Sequence, residues 1–237
     1  MISIAENVAK IRDKIAEAAA LSGRVPDDIT LVAASKMKSA DEIREAIAAG
    51  IDAVGENRVQ ELLSKEAQGA YSGVPLHFIG HLQSNKVSKI VGVCDLIESV
   101  GSKNLLEAIS KRARKLGIIQ NVLLEVNIGK EERKSGIYFE ETSETLEFAS
   151  QISGINILGL MAIPPIFDEK SKNSHYFDIM CNLFVDMSKK TYDNVTMRFL
   201  SMGMSDSYFE AICAGANMVR IGSAIFGDRN NYVLEES

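Results

Sequence analysis

The sequence predicts an α/β fold, a single (β/α)₈ TIM barrel with an extra N-terminal helix, and three observations carry that prediction. Eight short apolar runs recur along the chain, each followed by an amphipathic stretch or by the chain end. The runs are mostly continuous, without apolar/polar alternation, as befits parallel strands buried on both faces. The length of 237 residues is near the usual size of one such barrel. No Pro/Gly/Ser-rich or charge-rich linker divides the chain, so residues 1–237 are read as one domain. No GxGxxG follows the first strand, which argues against an open dinucleotide-binding sheet.

Taken in order, Ile4, Val8, Ile11, Ile15 and Ala18 recur at helical spacing and predict the opening helix. Gly23 and Pro26 then break the pattern before the first strand. Strands are expected at 29–35, 53–56, 76–80, 96–100, 122–128, 157–163, 195–201 and 218–221. Between them the periodicity predicts helices at 39–49, 59–68, 85–91, 102–116, 142–152, 172–190 and 207–214. Ser39, Asn85, Ser102, Thr142 and Ser207 open five of these as caps, and Gly50, Gly69, Gly117 and Gly215 follow helix ends.

Composition narrows the function classes. Hydrophobic residues make up 46% and charged residues 24%, enough for one large core. A net charge of −6 with no basic stripe argues against a nucleic-acid partner. Lys111, Arg112, Arg114 and Lys115 sit together on a predicted helix and read as a solvated face. Cys94, Cys181 and Cys213 lie far apart without CxxC spacing, which suggests reduced thiols in a cytoplasmic protein and no zinc site. His77, His81 and His175 are too scattered for a metal. The N-terminus reads as a charged amphipathic helix, so no signal peptide is expected there, and no apolar run approaches a membrane span.

Chemistry in such barrels gathers at the C-terminal ends of the strands. The first strand closes in Ala-Ala-Ser-Lys, which places Lys36 at the mouth after an apolar run. A lysine desolvated there offers a neutral amine to an aldehyde, though a strand-end lysine can also snorkel to solvent. The seventh and eighth strands run into Ser201-Met202-Gly203-Met204-Ser205 and Gly222-Ser223. Their glycines and hydroxyls suit an anion, and the loops after these two strands are the habitual phosphate site of the fold. Serines and glycines are also ordinary loop residues, but with Lys36 across the mouth a phosphorylated aldehyde is the better explanation. Arg220 lies inside the apolar Met-Val-Arg-Ile run and must meet an acid or a ligand there. Facing a pyridine nitrogen, it would keep that nitrogen unprotonated and the ring a weak electron sink. Glu56 is expected to pair with Arg58 or a nearby lysine, and the 130–134 loop to be solvated.

These strand ends resemble the pyridoxal-phosphate homeostasis protein family. The matching strings are LVAASKMK, VGENRVQE, LHFIGHLQSNK, LIESV, LLEVNIGKEERKSGI, GLMAIPP, FLSMGMSDSYFEAI and MVRIGSAIFG, spanning Leu31 to Gly227. The resemblance implies a barrel like the N-terminal domain of alanine racemase, holding pyridoxal 5′-phosphate as a Schiff base on Lys36. It implies a phosphate site at Ser201, Ser205, Gly222 and Ser223, Arg220 near the pyridine nitrogen, and Asn57 beside the cofactor. It further implies a role in intracellular B6-vitamer homeostasis, with apo-enzymes that use the cofactor as recipients. Met37, Ser39, Arg58 and Ser223 stand where the family often has Thr, Pro, Tyr and Thr. Arg58 adds a charge that could alter what the pocket admits.

The alternative is a fold-type III enzyme, a racemase or decarboxylase of a small amino acid. Racemisation needs a base on each face of the substrate imine. In the racemase, the second base comes from a C-terminal β domain that also forms the dimer. This sequence leaves no length for that domain, so a carrier is expected, and a monomer.

Overall fold

The computed structural model describes residues 3–131, 133–165 and 170–227. Its strands are β1 (Thr30–Ala34), β2 (Ala53–Glu56), β3 (Leu76–Phe78), β4 (Leu96–Val100), β5 (Gln120–Val126), β6 (Ile155–Ala162), β7 (Val195–Ser201) and β8 (Met218–Ile221). They close in chain order into an all-parallel barrel, with β8 returning to pair with β1. The predicted eight-stranded barrel is therefore the observed one, with strand ends differing by a few residues.

Helix α1 (Ile4–Leu21) forms because Val8, Ile11, Ile15 and Ala18 share one buried face. Its start is fixed reciprocally: Glu6 N–H donates to Ser3 Oγ at 3.2 Å and Ser3 N–H to Glu6 Oε2 at 2.9 Å. The crossovers are α2 (Ala40–Ala48), α3 (Val59–Glu66), α4 (Val87–Ile90), α5 (Lys103–Leu116), α6 (Thr142–Ser150), α7 (Lys170–Ser188), α8 (Tyr208–Cys213) and a single turn, α9 (Ser223–Phe226). Helix α1 packs against α8, α9 and α2, beside the β8–β1 closure. The helix expected at 85–91 is instead a 3₁₀ turn, Ser84–Lys86, running into the single turn of α4. Lys86 N–H donates to Gln83 three residues back, the tighter winding that suits so short a crossover. The chain end that follows the eighth predicted strand, at 228–237, lies outside the described residues.

The strand pleat sorts side chains into two sets. Val32, Ala53, Leu96, Leu123, Met161 and Met218 meet inside the barrel as its plug. Leu31, Val54, Ile97, Val122, Leu160 and Val219 point outward into the helix layer. β7 departs from the expected continuous burial: Thr196 and Arg198 are exposed while Leu200 and Ser201 are buried. Its ladder to β8 is the single pair Ser201–Met218, so its first half lies free of that neighbour. β6 bends onto β7 at Gly159, where φ is +142° and a Cβ would lie 1.9 Å from the Phe199 carbonyl oxygen. The β6–β7 register shifts between Ile157 and that glycine.

Candidate functional site: a cavity at the mouth of the barrel

The ends of β1, β7 and β8 enclose a cavity of about 240 Å³ lined in part by Lys36, Ser205, Arg220, Gly222 and Ser223. Five of the seven residues singled out from the sequence thus meet in one place. Lys36 sits on the turn after β1, and Met37 beside it takes φ +62°. Lys36 is exposed as a residue at the cavity rim, where partial desolvation was expected. Across the cavity, Ser205 Oγ accepts from the N–H groups of Gly222 and Ala224, each at 3.3 Å, tying the loop after β7 to the start of α9. With two N–H groups received, the Ser205 hydroxyl still has its own proton to give to an anion. Gly222 brings the backbone close to β1, where a Cβ would stand 3.2 Å from the Ala34 carbonyl oxygen.

Arg220 closes the floor. Its guanidinium is buried and donates to Ser201 Oγ at 2.5 Å and to the Ala162 carbonyl at 3.0 Å. The acid that its apolar setting demanded is Glu98 on β4, 3.8 Å away and fully buried. Glu98 accepts from Ser201 Oγ at 2.6 Å and from His77 Nδ1 at 2.7 Å. Burial by itself would raise the Glu98 carboxyl; the His77 hydrogen bond, the charges of His77 and Arg220 and the Ser201 bond together hold it below its ordinary value. Burial pulls the Arg220 guanidinium down against Glu98 and Glu125, yet an arginine stays charged at neutral pH.

Two of the seven lie apart from this cavity. Ser201 does not line the cavity; it is fully buried, and its hydroxyl is engaged by Glu98 and Arg220, so it holds the arginine from below. Asn57 lines a neighbouring cavity of about 510 Å³ with His81, Glu125, Asn127, Arg133 and Lys134, and its Oδ1 is buried without a partner among the described residues. Burial pushes the Glu125 carboxyl up, opposed by its Ser135 hydrogen bond and by the charges of Arg220 and His81. Arg58 lines neither cavity; it lies exposed and pairs with Glu61 at 3.3 Å. Glu56 takes the other expected partner, Lys65, at 2.7 Å. Sequence reasoning missed His77 and Glu98. The signal was available in Glu98, an acid inside the apolar Leu96–Val100 run, by the same reasoning that singled out Arg220.

A parallel barrel with a lysine just after β1 and an arginine on β8 lining one cavity is also the architecture of the proteins this chain is similar to. The family model for the alanine racemase N-terminal domain matches residues 3–230. An alanine racemase of Clostridium difficile superposes with a TM-score of 0.70 at 15% identity, covering 96% of this chain and 58% of that one, a likeness of fold alone. The pyridoxal phosphate homeostasis protein of Aquifex aeolicus is 39% identical over 224 residues, 94% of this chain and 97% of its own. PipY of Synechococcus elongatus, solved with pyridoxal phosphate bound, is 33% identical with a TM-score of 0.78, covering 90% of this chain and 100% of that one. The chain belongs to the pyridoxal phosphate homeostasis protein family, within the alanine racemase N-terminal-domain fold.

Proposed function

We propose that the cavity between β1, β7 and β8 holds pyridoxal 5′-phosphate as a Schiff base on Lys36, and that the chain serves B6-vitamer homeostasis by carrying the cofactor. The observation that carries this reading is the convergence of Lys36, Arg220 and the Ser205–Gly222–Ser223 cradle on one cavity. The donor set fits each part of the group: an amine for the aldehyde, hydroxyl and backbone N–H groups for the phosphate, a guanidinium for the ring nitrogen. Lys36 would hold the aldehyde end of the group, its amine being the nucleophile that a Schiff base with loss of water requires. Ser205 and Ser223 present hydroxyls, and the tie between Ser205 and the start of α9 orders both loops before binding. Arg220, its own charge fixed by Glu98 below it, disfavours a proton on the ring nitrogen. Bound there, the cofactor supplies a weak electron sink, which suits storage better than carbanion chemistry. Asn57 borders the same mouth from the neighbouring cavity. On this reading the chain acts as a monomer in the cytoplasm and passes cofactor to apo-enzymes without a turnover of its own.

The test is the absorbance spectrum of purified protein after incubation with pyridoxal phosphate, wild type beside Lys36→Ala, before and after borohydride. The expected result is a visible band in the wild type that borohydride bleaches irreversibly and the variant lacks. A wild type without that band overturns the reading. A spectral change driven by an amino acid, with catalytic turnover, would replace the carrier by an enzyme.

A further inference from the structure

We propose that Glu61, acting with Glu56 and Lys65, is a positioning residue that aims Lys36 by holding the turn on either side of it. The proposal rests on Lys36 being the cofactor anchor. The turn is costly in itself: Met37 sits at φ +62°, a left-handed conformation that non-glycine residues avoid. Packing does not enforce it, because Met37 is 56% exposed. The Met37 N–H instead donates to Glu61 Oε2 at 2.7 Å. On the other side of Lys36, Ser35 Oγ donates to Glu56 Oε1 at 2.6 Å, and Lys65 Nζ donates to the Ser35 carbonyl at 2.9 Å. Lys65 joins the two acids, 2.7 Å from Glu56 Oε1 and 3.5 Å from Glu61 Oε2.

All three residues come from one β–α unit. Glu56 ends β2, and Glu61 and Lys65 stand four apart on one face of α3. Glu56 Oε1 receives Ser35, Lys65 and Tyr71, while its Oε2 is buried with no partner among the described residues. A carboxylate placed for its own satisfaction would share those donors between both oxygens. Fold stability alone does not require such a cluster, since apolar packing serves a buried site as well as an ion pair does. What the cluster does specifically is end on the backbone and side chain of residues 35 and 37, the two neighbours of Lys36. Glu61 is the member whose removal loosens the turn without emptying the core, because its side chain is partly exposed.

The experiment compares two ligands that differ only at the carbon Lys36 would attack: pyridoxal 5′-phosphate and pyridoxine 5′-phosphate, which has no aldehyde. In Glu61→Ala the affinity and rate of covalent loading should fall about tenfold, the worth of one charge-assisted hydrogen bond. Binding of pyridoxine phosphate should stay within about twofold of wild type on the same affinity scale. Glu61→Gln keeps an acceptor and should recover most of the loss. Met37→Gly, added to Glu61→Ala, should recover it too, because glycine adopts the turn at little cost. Equal losses for both ligands, or a Glu61→Ala protein that loads like wild type, overturn the positioning role. A wild type that binds neither ligand overturns the cofactor reading and this proposal with it, which separates the two failures.

Discussion

Glu98→Gln removes one negative charge from inside the barrel while keeping the side chain's shape. Four facts set the size of the effect. Glu98 is fully buried, accepts from His77 at 2.7 Å and Ser201 at 2.6 Å, and stands 3.8 Å from the buried Arg220 guanidinium. Unit charges at that separation attract by about 4 kcal/mol at the effective dielectric constant that reproduces protein pairs. Breaking one half of a buried pair costs about 3–5 kcal/mol, because the survivor is left desolvated and unmatched. Glu125, also facing Arg220, retains part of the field, which places the expectation at the lower end, about 3 kcal/mol.

Urea unfolding at pH 7 of wild type, Glu98→Gln, Arg220→Met and the double variant measures this. The double variant should be far more stable than the two single losses added together. The wild-type advantage should also depend on pH. The Glu98 carboxyl is held below its unfolded value, so its contribution is whole above the unfolded carboxyl range near about 4.3. It is lost as pH falls through the lower folded value. A loss under about 1 kcal/mol at pH 7, or strictly additive costs, would refute the account of Arg220 as held by a buried counter-charge.

Two further outcomes follow from single positions. Gly159→Ala should abolish soluble folding or cost more than about 4 kcal/mol, since the new Cβ would overlap the Phe199 carbonyl at a positive φ; expression yield and thermal unfolding check it. Ser205→Ala should cost about 1 kcal/mol through the two N–H groups it leaves unreceived, and should weaken phosphate-bearing ligands more than pyridoxal, as titration of both would show.

Much of the site was legible because barrel topology turns chain order into spatial order. Lys36, Ser205, Gly222 and Ser223 each lie within a few residues after a strand end, and parallel strands end at one mouth, so reading strand ends amounts to reading a surface. What the sequence does not show is depth. Ser201 and Ser205 look alike in the sequence, both hydroxyls in one small-residue loop. Yet Ser201 is the last residue of β7 and points to Glu98, while Ser205 lies four residues further, on the cavity wall. Lys36 was placed correctly and its exposure was not, because burial at a rim depends on side chains from other strands.

The sequence by itself determined the number and order of strands, the opening helix and the identity of the residues at the mouth. Periodicity, caps and strand-end chemistry are local properties of the chain. Only the tertiary structure decided which buried polar groups meet. Strands buried on both faces read as unbroken apolar runs, so nothing in Leu96–Val100 says that Glu98 faces into the barrel, nor anything in Ala53–Glu56 that Glu56 faces α3. The bond that Ser201 donates to Glu98 joins residues 103 apart, and the one that Ser35 donates to Glu56 joins residues 21 apart. Such pairs exist only once closure fixes the pleat of every strand against its neighbours, and the cost of burying an unmatched charge then selects the partner.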